Sequence, residues 1–175
     1  MSEAAAVGPS TPGLSPSAAA RLIALLLPLA LLGGAFGSQY FGGLHPCEMC
    51  YWQRWPHGAA ILFAVLAFTA PADSSRARNL TLLAALAITI SGIIGVYHAG
   101  VEAKIFPGLT TCSALPKGLS TAEMLKQITQ TPLVRCDQIQ FSFLGISMAG
   151  WNAILSLAAA LMILWLSLKR RPIPA

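Results

Sequence analysis

Four long apolar segments, each nearly free of charged side chains, constrain the fold of this 175-residue chain more than any other feature. They cover approximately residues 19–41, 52–70, 80–100 and 146–168, and the second is the shortest and least apolar. A helix that crosses the hydrocarbon core of a bilayer needs about 20 residues, so each segment is long enough. Only 10% of the residues are charged, against about 25% in soluble domains. The pattern predicts an all-α integral membrane protein, a four-helix bundle.

The residues outside these segments divide into two tails and two loops. Residues 1–18 are predicted to be a disordered tail, and residues 169–175 a short basic tail. The bundle domain covers 19–168, with loops at 42–51 and 101–145. In the longer loop, Ser120 and Glu123 form a capping-box pattern that predicts a short amphipathic helix over 120–130, resting on the membrane surface. A signal peptide cleaved near Ser38 is a weaker alternative, because the apolar run continues past that residue.

The distribution of Lys and Arg predicts the orientation of the bundle. Basic residues in long loops contribute little to orientation, and most of those on the outer side lie in the long loop. The basic residues on the other side therefore decide the orientation. Both termini are therefore predicted to be cytoplasmic, with all four cysteines and the long loop on the outer, oxidising side. The formal charge of +5 does not indicate nucleic acid, because the basic residues flank apolar segments and form no stripe. The residues assigned to the cytoplasmic side are Arg21, Arg76, Arg78, Lys169, Arg170 and Arg171.

Cys47 and Cys50 form a C-x-x-C pair at the mouth of the second segment, with the spacing of thiol–disulfide oxidoreductases. Pro46 suits the first turn of a helix, and the N-terminus of a helix favours a thiolate. Arg54 shares the face of both cysteines if the segment is helical, provided that Pro56 does not disturb the register. The pair is therefore predicted to be redox-active.

Two further pairs are candidates for the same chemistry. Cys112 and Cys136 bracket a polar segment, and a disulfide between them would stabilise that loop by about 3 kcal/mol in the chain-entropy model. Such a disulfide would also be accessible to an incoming thiolate. His98 and Glu102 share a helix face at the outer end of the third segment, where ionisable side chains are functional candidates.

Other interpretations of the cysteines are weaker. Cys47 and Cys50 could form a static disulfide that braces the loop. Zinc could be held by all four cysteines, or by the first pair with His45 and His57, but the second pair is too far apart in sequence to form a knuckle. We therefore predict no metal.

Together these motifs resemble the bacterial disulfide bond formation protein B (DsbB) family. The resemblance covers about residues 19–168 and departs from the family pattern at Glu48, at Phe141, where a tryptophan is expected, and in the longer N-terminal tail. It rests on Pro46-Cys47-x-x-Cys50-x-x-x-Arg54, Tyr97-His98-x-Gly100-x-Glu102, Cys112, Cys136-Asp137 and the segment from Phe143 to Asn152.

The resemblance implies a thiol:quinone oxidoreductase of the bacterial inner membrane. Such an enzyme reoxidises the periplasmic thioredoxin-fold oxidase DsbA and passes the electrons to ubiquinone or menaquinone, bound non-covalently. By analogy, Cys50 contacts the quinone, Cys47 exchanges with the loop, Cys112 takes the mixed disulfide with DsbA, and Cys136 is resolved through Cys47. The positions implied at the quinone are Arg54, His98 and Glu102.

Two rivals to this function remain. A relative of the vitamin K epoxide reductase family would share the enzyme class, but that family places its active pair late in the chain. A membrane scaffold with purely structural disulfides would have no activity.

Overall fold

The computed structural model describes residues 14–108, 120–122 and 134–168. Most of the helix predicted over 120–130, most of both tails, and Cys112 lie outside these ranges. Within the described residues the chain forms four long helices and one pair of two-residue strands. In chain order these are α1 (Pro16–Tyr40), α2 (Glu48–Thr69), α3 (Ser75–Glu102), β1 (Ser142–Phe143), β2 (Ile146–Ser147) and α4 (Met148–Leu168).

Successive helices run in opposite directions, so both ends of the bundle collect residues from distant parts of the chain. At one end, Arg54 near the start of α2 donates a hydrogen bond to Gln39 near the end of α1. At the other end, the Arg21 guanidinium of α1 lies 5.4 Å from the centre of the Phe68 ring, near the end of α2. We term the first of these the dithiol end, because it also holds Cys47 and its neighbours.

The helices have the length and composition of membrane spans. In the described part of the chain, α1, α3 and α4 are each long and apolar enough to cross a bilayer, with mean hydropathies of 2.0, 2.1 and 1.9. The second helix does not meet that criterion, because its first turns carry Glu48, Gln53 and Arg54, although its 22 residues span about 33 Å. The fold is the predicted all-α membrane bundle, in which α2 carries polar residues in its first two turns.

Small side chains fill the centre of the bundle. The helices approach closely there because alanine adds little width, which is typical of helices packed within membranes. Large apolar residues such as Leu86 and Leu161 point outward instead, where lipid rather than water is their solvent. The buried central cluster is made of Ala20, Ala24, Ala60, Ala64, Ala84, Ala85, Ala87, Ile88, Ala160 and Ile163.

Three helices begin earlier than the apolar segments predicted, and α3, capped by Ser74, starts at Ser75 rather than at residue 80. Ser15 caps α1, which therefore starts inside the segment assigned to the disordered tail. Cys47 is the N-cap of α2, so residues 48–51 are helical and not part of the loop predicted over 42–51. Pro46 accordingly lies outside the helix rather than in its first turn. Hydropathy missed these starts, because side-chain caps and polar first turns carry no apolar signal.

The fourth helix begins later than predicted, because a hairpin occupies its first positions. Ile146 and Ser147 form β2, which pairs antiparallel with β1. Leu144 and Gly145 connect the strands with φ values of 53° and 78°, and positive φ at both central residues is typical of a type I′ turn. The Trp151 indole N–H donates to the Phe143 carbonyl at 3.0 Å, which ties the hairpin to α4.

We expect Gly95→Leu to destabilise the bundle. A side chain at this position of α3 meets the backbone of α4, since a Cβ would lie 3.1 Å from the Ala149 oxygen and the Ala153 nitrogen. Forcing atoms into such a contact costs about 1–3 kcal/mol. The matched control is Gly33→Leu on the exposed side of α1, where a Cβ meets nothing within 4 Å. Thermal unfolding in detergent micelles measures both, and equal stabilities would contradict the packing described here.

Candidate active site at the dithiol end

The two cysteines of the C-x-x-C motif lie together at the start of α2. Their sulfur atoms are 2.7 Å apart, and the Cys50 backbone N–H donates to the Cys47 sulfur at 3.2 Å. Both are free thiols, Cys47 being buried and Cys50 partly exposed. The hydrogen bond with Cys50 and burial raise the pKa of the Cys47 thiol. The proton of a singly ionised pair therefore stays on Cys47, and Cys50 carries the negative charge.

His98 and Glu102 reach the dithiol from the end of α3, as their shared helix face predicted. The His98 Nε2 atom lies 3.6 Å from the Cys47 sulfur and 3.8 Å from Glu102 Oε1. The Ser147 hydroxyl donates a hydrogen bond to the Glu102 carboxylate and also caps α4 by accepting from the Gly150 N–H. The hairpin and the start of α4 therefore position the Glu102 carboxylate, which faces His98.

Cys136 is brought to the same place by the long loop. It is buried in one cluster with Cys47, Met49 and Val101, and its backbone hydrogen-bonds the His98 ring. The two cysteines are therefore close enough for thiol–disulfide exchange between Cys47 and Cys136. Cys112, the other predicted redox cysteine, lies outside the described residues.

A charged cluster holds the Cys136 segment against the end of α3. Asp137 pairs with Arg135 at 2.7 Å and with Lys104 at 2.6 Å, and the Lys104 ammonium also donates to the Asp137 carbonyl. These two cations, Arg135 first, hold the pKa of Asp137 well below its ordinary value. The carboxylate therefore stays ionised, and the connection persists, at any pH near neutrality.

Arg54 lies on the side of α2 that faces α1. Its guanidinium donates to the Gln39 side chain at 2.6 Å and to the Ala35 carbonyl at 3.3 Å. It also lies over the rings of Phe36 and Tyr51, at 5.0 and 5.3 Å from their centres. Pro56 sits inside α2 without ending it, so the predicted register of Cys50 and Arg54 is kept.

A cavity of about 590 Å³ opens beside the dithiol, between α1, α2 and α4. Both sulfurs, Arg54 and His98 line it, and so do the small and aliphatic residues of α1, among them Leu31 and Gly34. An apolar cavity of this size with a few convergent polar groups is typical of a binding site for a small organic ligand. A quinone, with polar ring oxygens and an apolar tail, would be compatible with these residues.

A buried polar network behind the dithiol was not predicted from the sequence. Gln53 donates to the His98 Nδ1 atom at 2.8 Å and accepts from the Asn152 amide at 2.7 Å. Asn152 also contacts Ser91 on α3 and His57 on α2. Polar residues inside apolar segments are the signal that could have indicated it. His57 entered the sequence analysis only as a zinc ligand, and Gln53 had no role there.

The structure groups different metal-ligand candidates from those weighed in the sequence. Among the described residues, Cys47, Cys50 and His98 place one ligand atom each within 4.8 Å of one another. His45 is exposed, and His57 hydrogen-bonds Asn152 instead. Glu48, the charged residue between the cysteines, is exposed at the first turn of α2, where the helix dipole favours an acid.

Comparisons with known proteins agree on one family. A family model described as "Disulfide bond formation protein DsbB" matches residues 17–166. The chain is 29% identical to disulfide bond formation protein B of Acinetobacter baylyi, over 87% of this chain and 94% of the relative. It is 31% identical to disulfide bond formation protein B of Azoarcus sp., over 81% of this chain and 87% of the relative. It is 25% identical to the uncharacterized protein RP370 of Rickettsia prowazekii, over 78% of this chain and 80% of the relative. No solved structure matches.

We predict that an alkylating agent will label Cys50 long before Cys47 in the reduced protein. The raised pKa keeps Cys47 protonated between about pH 7 and about pH 9, the range in which an ordinary thiol ionises. Iodoacetamide labelling followed by peptide mass spectrometry gives both rates, with the denatured protein as the control in which both thiols react. Equal labelling of the folded protein would contradict the assignment of the proton.

We predict that Asp137→Asn will slow disulfide formation between Cys47 and Cys136. Loss of the carboxylate removes the ion pair that ties this segment to Lys104 at the end of α3, so Cys136 is held less firmly beside Cys47 and the rate falls a few-fold. Asp73→Asn, at the opposite end, is the matched control. Trapping the disulfide at timed intervals measures the rate, and a difference that persists unchanged in high salt would argue against an electrostatic cause.

Proposed function

This chain belongs to the disulfide bond formation protein DsbB family, and on that basis we propose that it is a membrane thiol oxidase that reoxidises a DsbA-type oxidase at the expense of a membrane quinone. The observation that carries the proposal is the contact of three groups, the Cys47–Cys50 pair, Cys136 and His98, beside an apolar cavity. A scaffold needs its disulfides buried and inert. Here Cys50 is partly exposed and lines the cavity.

The proposed route moves two electrons through two disulfides. A thiolate of the reduced partner attacks Cys112 of a Cys112–Cys136 disulfide, and Cys136 leaves as the thiolate. The second thiol of the partner then closes the partner's own disulfide and releases Cys112 as a thiolate. Cys136 attacks Cys47 of the Cys47–Cys50 disulfide, which releases Cys50 as a thiolate. Cys112 then attacks Cys136, which re-forms the Cys112–Cys136 disulfide and releases Cys47, so that the Cys47–Cys50 pair is left reduced. The burial of Cys136 beside Cys47 supports this exchange.

The electrons leave at Cys50. The reduced Cys47–Cys50 pair would give up two electrons and two protons and re-form its disulfide, and a quinone held in the cavity would supply the two-electron acceptor. Cys50 is suited to face it, because the proton of the pair stays on Cys47. Arg54 would hold an oxygen of the ring, since its guanidinium lines the cavity while it is positioned by Gln39. His98 and Glu102 would hold a proton next to the Cys47 sulfur.

We further propose that the dithiol end faces the periplasm of a bacterial inner membrane and that both termini are cytoplasmic. The basic residues flanking the opposite end support this orientation. A bacterial periplasm is kept oxidising by the DsbA–DsbB–quinone route, so a partner with exposed thiols is available there. The partner expected is a thioredoxin-fold oxidase, and the acceptor is ubiquinone or menaquinone.

We predict that Cys50→Ser will abolish quinone reduction driven by a reduced DsbA-type oxidase. The hydroxyl cannot form the disulfide, so the route has no exit for its electrons. Arg54→Gln should retain the disulfides but weaken quinone binding, raising KM roughly 10- to 150-fold, because a charged hydrogen bond is worth about 1.5–3 kcal/mol. The measurement is the absorbance change of a short-tailed ubiquinone with the purified protein.

Thr69→Ser, at the far end of α2, serves as the control and should leave the rate unchanged. Activity that survives Cys50→Ser would rule out the route. If labelling of Cys47 and Cys50 did not respond to an added dithiol or quinone, the structural scaffold would be the better description.

A further inference from the structure

His57 is a buried titratable side chain that the proposed route does not use. It is 3% exposed, and it is one of the residues around the cavity that Cys50 and Arg54 also line. These three residues follow one another at helical spacing on one face of α2. Among the described residues, the His57 Nδ1 atom is the buried side-chain polar atom that has no hydrogen-bond partner. A buried polar atom without a partner is costly, so this one calls for an explanation.

The hydrogen-bond network sets the protonation of the His57 ring. The Asn152 amide nitrogen lies 3.2 Å from the Ser91 carbonyl, which accepts hydrogen bonds and cannot donate. The Asn152 oxygen must therefore point the other way, toward the His57 Nε2 atom at 2.8 Å. An amide oxygen only accepts, so Nε2 carries the hydrogen and donates it.

The other ring nitrogen is consequently an acceptor. A second hydrogen on Nδ1 would make a buried imidazolium, and an unpaired charge at this depth is strongly disfavoured. The groups around the ring do not offset that charge, since Asn152 is neutral and Arg54, one turn away, is itself a cation. His57 is therefore a neutral ring that presents an unused lone pair.

We propose that His57 is a binding residue for the reduced form of the electron acceptor, accepting a hydrogen bond at Nδ1 from a ring hydroxyl; this inference rests on the proposed quinone chemistry. A quinone carbonyl brings only lone pairs and gains nothing from this atom. A quinol hydroxyl brings a hydrogen and satisfies it. His57 thus distinguishes the two oxidation states of one ligand by the direction of a single hydrogen bond.

The location of His57 suits this role. It follows Arg54 by one turn of α2, a rise of about 5 Å, which is comparable to the separation of the two oxygens of a para-quinone ring. Arg54 donates hydrogen bonds and favours a carbonyl or an oxyanion, whereas His57 accepts and favours a hydroxyl. The two residues together offer complementary partners along one wall of the cavity.

The energetic consequence is a more oxidising bound acceptor. A site that binds the quinol more tightly than the quinone raises the reduction potential of the bound quinone/quinol couple. A tenfold preference corresponds to about 30 mV for a two-electron couple. That direction helps an enzyme whose thiol partner is itself a strong oxidant and resists reoxidation.

The first test compares two constants in the purified protein with a short-tailed ubiquinone. In His57→Phe we expect the inhibition constant of the quinol product to rise roughly 3- to 10-fold, the range of one neutral hydrogen bond, while KM for the quinone changes less than about twofold. Leu161→Met, a volume-conserving change on the exposed side of α4 and away from the cavity, should alter neither constant. Equal changes in both constants, or none in the quinol constant, would overturn the proposal.

The second test uses the wild-type protein and so does not depend on whether a variant folds. With ¹⁵N-labelled histidine, the wild-type protein has only three imidazole rings to resolve. Adding the quinol should shift the Nδ1 resonance of one ring in the direction of a hydrogen-bonded acceptor, and adding the quinone or the quinol dimethyl ether should not. Identical shifts with quinol and dimethyl ether would refute the hydrogen bond. If the wild type reduced no quinone at all, the proposed function would fail; normal turnover with an unshifted ring would refute His57 alone.

Discussion

The dithiol end depends on a hydrogen-bond network buried between α2, α3 and α4. Gln53 links the His98 ring on α3 to Asn152 on α4, and the Ser91 hydroxyl donates to the Gln53 carbonyl. The partners of these residues come from the chain itself, because lipid offers none. The network therefore sets how three helices are rotated about their axes. That rotation is what points His98 at the Cys47 sulfur.

Close packing makes the network possible. Gly95 brings α3 against the α4 backbone beside the Asn152 amide, and the alanine-rich centre keeps the remaining helices near one another. In a membrane the hydrophobic effect does not drive helices together, so small residues and polar contacts must do so. The close packing and the hydrogen bonds therefore lie on the same turns of α3 and α4. A substitution that separates the two helices would also break the hydrogen bonds between them.

The chemistry of the dithiol follows from its place at a helix start. Cys47 is both the cap of α2 and the first cysteine of the C-x-x-C pair, and its sulfur accepts a hydrogen bond from the Cys50 N–H. The same position lets the loop deliver Cys136 from outside the bundle, where Asp137 anchors it to Lys104. The dithiol thus lies between the loop segment that carries Cys136 and the cavity.

Local patterns in the sequence determined the class of fold and the kind of chemistry. Apolar segments of bilayer length leave helices as the solution, and a C-x-x-C spacing brings two sulfurs together on one turn. Helical spacing likewise put His98 and Glu102 on one face. Only the tertiary structure decided which groups meet across helices: Gln53 with His98, Arg54 with Gln39, and His57 with Asn152. Periodicity within one helix specifies a face but not the neighbour it meets, because that neighbour depends on the rotation and separation of helices distant in the chain.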